Sequence, residues 1–132
     1  MNEEEKNNLF GTFEAVIKSA YSEKMEDPKW KKKIEKTNLK ANIGLQVGEN
    51  EIFYINLTIT NGELKIGKGN LEDYDIELIS TPEDLMFLSN GTYSTVHMIT
   101  KKNQYGKTKL KVKKGGRNLG KLLFLQQFLA FK

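Results

Sequence analysis

Residues 41–68 read ANIGLQVGENEIFYINLTITNGELKIGK, and their apolar members fall on every second position. Ala41, Ile43, Leu45 and Val47 alternate with Asn42, Gly44 and Gln46; beyond Gly48-Glu49-Asn50, Phe53, Ile55, Leu57 and Ile59 alternate with Tyr54, Asn56, Thr58 and Thr60. Successive side chains of a strand point to opposite faces, so a period of two predicts half-buried strands. Asn61-Gly62 suits a two-residue hairpin turn and leads into a third strand, Glu63 to Lys68, with Leu64 and Ile66 inward. The stretch predicts a three-stranded meander with one apolar face.

Downstream, Tyr74 to Ser80 predicts a fourth strand with Ile76 and Leu78 on one face. Thr81-Pro82-Glu83-Asp84 then supplies an N-cap, a proline at the first helical position and an acidic first turn for a helix from Pro82 to Ser89, ended by Asn90-Gly91. Residues 93–104 predict a short helix with Tyr93, Val96 and Ile99 toward the core, and Gly106 breaks it. A last strand, Lys107 to Lys114, alternates Leu110 and Val112 with Lys109, Lys111 and Lys113; Gly115-Gly116 turns it into a helix from Leu119 to Phe131. At 100° per residue, that helix carries one stripe of Leu119, Leu122, Leu125 and Leu129 and a second of Phe124, Phe128 and Phe131, with Lys121 between them. A surface helix needs only one apolar face. The second must therefore meet another helix, a partner chain or an apolar ligand.

Upstream, Leu9, Phe10, Phe13, Val16, Ile17, Ala20 and Tyr21 carry the helical spacing of an amphipathic segment over residues 8–25. Asp27-Pro28 opens a second helix through Trp30 and Ile34, with its lysines in water. Helices, meander, strand, helices, strand and helix together predict an α+β domain with its helices layered on one sheet face, and 132 residues suit a single domain.

Composition narrows the chemistry. With no cysteine there is neither a disulfide framework nor a thiolate. The acidic MNEEEKNN start is unlike a signal peptide, and the C-terminal apolar run is shorter than a membrane span, so an intracellular, cytoplasmic protein is expected. Residues 1–84 hold 11 Lys against 17 Asp and Glu, whereas residues 85–132 hold ten Lys and Arg and no acid. A one-sided basic tract suits an anionic partner. The string Gly115-Gly116-Arg117-Asn118-Leu119-Gly120-Lys121-Leu122 has P-loop spacing, but Leu122 stands where the metal-binding hydroxyl belongs and no later strand offers a second carboxylate, so nucleotide hydrolysis is not expected. What survives is a glycine turn beside Lys113, Lys114, Arg117 and Lys121, a place for an anionic head group or membrane surface. Leu and Val, not aromatic residues, interleave the lysines of the last strand, which speaks against nucleic acid and for protection of a sheet edge. His97, the single histidine, has neither metal-ligand spacing nor a catalytic third partner and is expected to be structural. Glu72, Asp73, Asp75 and Glu77 read as a solvated strand face. No metal or cofactor is expected.

Three segments taken together, YDIELISTPEDLMFLSNGTYS (74–94), QYGKTKLKVKKG (104–115) and GRNLGKLLFLQQF (116–128), with the meander before them, resemble the sterol carrier protein type 2 family. The resemblance covers about residues 9–131. It implies a five-stranded mixed sheet covered on one face by helices, with an apolar tunnel between that accepts fatty acids, fatty acyl-CoA, phospholipids or sterols, and no catalysis. Onto this chain it carries only an apolar surface: Leu45, Phe53, Ile55, Leu57, Ile76, Leu78, Met86, Leu88, Val96, Ile99, Leu122, Leu125 and Phe128. The lysine-rich second helix and last strand depart from the family and favour an anionic lipid over a sterol. A lipid carrier exchanging its cargo with membranes, as a monomer or weak homodimer, is one expectation. The alternative is an interaction or dimerisation module of the same fold whose phenylalanine stripe docks a partner over a closed cavity.

Overall fold

Helix α1 (Glu3–Met25) begins at Asn2, whose side chain accepts from the Glu5 amide at 2.8 Å while the Glu5 carboxylate accepts from the Asn2 amide. This reciprocal cap, with Glu3, Glu4 and Glu5 against the positive helix end, explains why the chain starts acidic. Helix α2 (Pro28–Lys36) follows at once, capped by Asp27 and started by Pro28. The computed structural model describes residues 1–114 and 119–129, and within those ranges the side chains of Lys114, Leu119 and Leu122 are not described. Next come β1 (Leu39–Gln46), β2 (Ile52–Thr60), β3 (Glu63–Lys68), β4 (Ile76–Ser80), α3 (Pro82–Ser89), α4 (Thr95–Thr100), β5 (Leu110–Lys114) and α5 (Leu119–Leu129).

The sheet is open, ordered β3-β2-β1-β4-β5. β1 runs parallel to β4 and every other neighbouring pair is antiparallel. The meander forms as its alternation predicts, and Asn61 and Gly62, both at positive φ (52° and 84°), make its tight turn. Tyr21 on α1 donates to the Gly62 carbonyl at 2.6 Å, which fixes α1 over that end of the sheet. Register puts Leu39, Ala41, Ile43 and Leu45 beside Ile59, Leu57, Ile55 and Phe53, and beside Ile76 and Leu78. Helices cover this face: Phe13 and Ile17 of α1, Trp30 and Ile34 of α2, Leu85 and Leu88 of α3, Met98 of α4, and Leu125, Phe128 and Leu129 of α5 belong to one buried cluster with those strand residues.

Three expectations need correction. Val96 and Ile99 do not face the core; they are 68% and 47% exposed, and Met98 is fully buried in their place. The helix is six residues long, started by Ser94, whose hydroxyl accepts from the His97 amide. At 100° per residue Met98 lies 160° from Val96 and 100° from Ile99, so one inward position turns the other two outward. Second, Glu77 is not solvated but 4% exposed, its carboxylate 3.5 Å from the Lys113 ammonium. Third, Lys109 does not share the outer face of the last strand with Lys111 and Lys113. The strand starts at Leu110, and Lys109 turns toward α3 to meet the buried Asp84 at 3.2 Å. The residues just upstream form a turn organised by Asn103, whose side chain accepts from the amides of Tyr105 and Lys107. His97 is half-buried and stacks on Tyr93 with ring centroids 4.3 Å apart.

Candidate functional site

The second apolar stripe of α5 meets another helix. Leu125, Phe128 and Leu129 enter the core, while Phe124 leans on Trp30 of α2 with centroids 5.8 Å apart and stacks on Phe128 at 5.8 Å. Trp30 is 8% exposed, with the ammonium groups of Lys33 and Lys24 4.9 and 5.3 Å from its ring centre. An aromatic column thus runs Trp30, Phe124, Phe128 from α2 into the interior. Phe131 lies outside the described residues.

Between α2 and α5 the packing is incomplete. A groove of about 540 Å³ opens there, lined by Lys33, Lys36, Thr37, Asn38, Gly120, Lys121, Leu123, Phe124 and Gln127. That volume is within the range of small-molecule sites. Its wall contains Phe124 and Leu123, the latter 53% exposed, and its rim is cationic. On the α2 wheel Lys32, Lys36, Lys29 and Lys33 fall within one 100° arc beside the buried pair Trp30 and Ile34. All four are exposed and none is in an ion pair among the described residues. Lys121, across the groove, is held 3.1 Å from Asp75. Burial pushes the Asp75 carboxyl up, but the hydrogen bond from the Lys40 amide together with the Lys121 ammonium outweighs it, leaving the pKa below the ordinary 3.8.

The apolar residues expected to line a tunnel divide into three groups. Leu45, Ile55, Leu57, Ile76, Leu78, Leu88, Leu125 and Phe128 are brought together in the core, and Phe53 and Met86 pack half-buried against it. Within the first group, Leu45, Ile55, Leu57, Ile76, Leu125 and Phe128 are 0% exposed. Val96 and Ile99 stand outside, and the Leu122 side chain lies outside the described residues. Of the expected basic cluster, Lys113 pairs with Glu77 on the sheet face away from the helices, and Lys121 sits at the groove. Arg117 and the side chain of Lys114 lie outside the described residues. Sequence reading missed Lys33, Lys36, Phe124 and Leu123 as site residues. The signal was present in the lysine arc of PKWKKKIEK (28–36), two of whose members, Lys33 and Lys36, line the groove.

Among the described residues no helix is long and apolar enough to cross a membrane, and no group of three or more His, Asp or Glu is placed to hold a metal ion. No protein-family model matches the sequence, and no curated protein does. Solved structures do. The solution structure of sterol carrier protein domain 2 of Helicoverpa armigera superposes with a TM-score of 0.63 at 20% identity, over 86% of this chain and 84% of that one. The apo form of sterol carrier protein 2 from Yarrowia lipolytica gives 0.57 at 21% identity over 84% of each chain. A UbiJ-SCP2 ubiquinone synthesis protein gives 0.63 at 11% identity over 98% of this chain and 93% of that one. The chain has the fold of the sterol carrier protein 2 domains.

Proposed function

From that fold, we propose that the chain is a non-catalytic lipid carrier. It takes the acyl chain of a fatty acid, a fatty acyl-CoA or a phospholipid along the α2–α5 groove, and it exchanges this cargo with membranes. The observation that carries the reading is the column Trp30, Phe124, Phe128, which joins an open, lysine-rimmed groove to the apolar interior. Each methylene buried returns about 0.8 kcal/mol, so ten of them supply roughly 8 kcal/mol toward displacing α5 and ordering the ligand. Lys33, Lys36 and Lys121 receive the anionic head group in this reading. The exposed arc with Lys29 and Lys32 faces an acidic bilayer.

Trp30 is the only tryptophan in the chain and touches the groove wall, so its emission reports occupancy directly. A cis-parinaric or dansyl fatty acid should quench or accept from Trp30 saturably at micromolar protein, and native mass spectrometry of gently purified protein should show a lipid adduct. Phe124→Asp should remove both signals. No adduct and no Trp30 response would end the carrier reading. The fully buried core side chains and the exposed Leu123 favour a second reading, in which this face docks a protein partner or a second copy. A dimer on sizing chromatography that Leu123→Asp dissolves, with no lipid signal, would select it.

A further inference from the structure

A sheet with helices on one face is expected to show water the other, as a row of polar side chains. Here the central strands β1 and β4 are buried on that second face too, although no helix among the described residues lies on it. Asn42 is 0%, Gln46 4%, Glu77 4% and Ile79 8% exposed. Two loops provide the cover. Asn42 clamps the segment before β4 by donating to the Leu71 carbonyl at 3.1 Å and accepting from the Leu71 amide at 2.8 Å. Gln46 pins the turn before β5, its Oε1 accepting from the Asn103 side-chain amide at 3.1 Å. That turn is closed by the Lys102 to Thr108 bridge and by the Asn103 amide donating to the Lys107 carbonyl at 2.7 Å.

The second loop stands off the sheet. It leaves a cavity of about 270 Å³, room for about nine waters at 30 Å³ each. Its floor is apolar: Ile52 and Ile79 close over Gly44, where an added Cβ would come within 3.0 to 3.1 Å of Ile52, Tyr54 and Ile79. Its upper wall is cationic, from Lys107, Lys111 and Lys113, against one lining carboxylate, Glu49. Lys113 is committed to Glu77, whereas Lys107 and Lys111 enter no ion pair among the described residues. Gln46 completes the site. With its oxygen held by Asn103, its side-chain N–H donors have no partner among the described residues, on a residue that is 96% buried and lines the cavity.

The geometry points to a binding site here for a small anion that carries a short apolar group, such as a carboxylate on a chain of a few carbons. The anionic group lies between the Lys107 and Lys111 ammonium groups and accepts from the Gln46 amide; the apolar part rests on Ile52 and Ile79. Inorganic phosphate satisfies the cations and leaves the isoleucines bare, and a small apolar cation satisfies the isoleucines and meets repulsion. The site is on the opposite side of the sheet from the α2–α5 groove and does not depend on the carrier reading.

Amide NMR titration of the whole chain with hexanoate, hexylammonium and inorganic phosphate tests it. Hexanoate should shift the amides of Gln46, Ile52 and Thr108 saturably, phosphate about tenfold more weakly, and hexylammonium not at all. Lys107→Gln with Lys111→Gln should weaken hexanoate about tenfold or more, the scale of one charge-assisted hydrogen bond. Ile52→Ser should weaken hexanoate and leave phosphate unchanged, and Lys6→Gln with Lys18→Gln, an equal charge change on α1, should alter neither. The same spectra show that each variant is folded. Absence of saturation, equal shifts from hexylammonium, or hexanoate affinity untouched by the Lys107 and Lys111 substitutions would overturn the proposal. Hexanoate shifts confined to α5 would place it in the groove and equally overturn this site.

Discussion

The central strands of the sheet are buried on their two faces by different physics. Under the helices, Ala41, Ile43, Leu45, Ile55, Leu57 and Ile76 are 0 to 1% exposed and touch other hydrocarbon, so what holds them is area removed from water. On the other face, Asn42, Gln46 and Glu77 are as deeply buried, and each depends on one or two identified atoms: the Leu71 backbone, the Asn103 amide, the Lys113 ammonium. The first kind of burial is non-directional and tolerates shape-conserving change. The second is directional, and losing one partner leaves the other stranded.

The comparison breaks first at Phe128. If it is a core residue, Phe128→Ala should cost about 3 to 5 kcal/mol in guanidinium unfolding, and Phe128→Leu much less. A cost under about 1 kcal/mol would mean that the side chain already borders a space, as a tunnel would require. Next comes the polar exception on the helix side, the Asp84 to Lys109 pair, 6% and 17% exposed at 3.2 Å. Asp84 Oδ2 has no partner, so Lys109→Met strands a buried carboxylate and should cost about 3 kcal/mol. Adding Asp84→Asn should return most of that loss, a coupling that a double-mutant cycle measures. On the loop-covered face, Asn42→Ala removes both bonds to Leu71 and should cost about 2 kcal/mol. Hydrogen exchange should quicken at Leu71 and not at Leu57, since only the loop loses its clamp.

This contrast also explains which parts of the molecule were legible in the sequence. Alternation over 41–68, the caps at Asp27 and Thr81 and the Asn61-Gly62 turn are local signals, and all appear where read. The helix-covered core follows from them, because periodicity alone says which side chains share a face. Asn42, Gln46 and Glu77 could not be found in that way. On a strand an outward polar residue reads as solvated, and only a contact 29 to 57 positions away in sequence (Leu71 from Asn42, Lys113 from Glu77, Asn103 from Gln46) buries it. Val96 and Ile99 failed for a related reason: in a six-residue helix a shift of one position in the inward residue reverses the face. The groove fell between these cases. Its walls, α2 and α5, were read correctly, and their juxtaposition was not.

Tyr54 offers the finest test of the loop-covered face. Its pKa is raised above the ordinary 10.0, first by burial and then by the negative charge of Glu77, with Lys113 pulling the other way. A phenol whose pKa is higher folded than unfolded contributes stability that is complete below about pH 10 and is lost as pH rises through the folded value. Wild-type chemical stability should therefore decline above pH 10 more than that of Tyr54→Phe. Ultraviolet difference titration of wild type against Tyr54→Phe isolates this one phenol among five tyrosines. The neighbours then move it in opposite directions: Glu77→Gln removes a charge that raises the pKa and should bring it toward 10.0, whereas Lys113→Gln removes a charge that lowers it and should send it higher. Shifts of the same sign, or none, would mean that Tyr54 does not share an environment with the buried Glu77, and that this face is wetter than its burial implies.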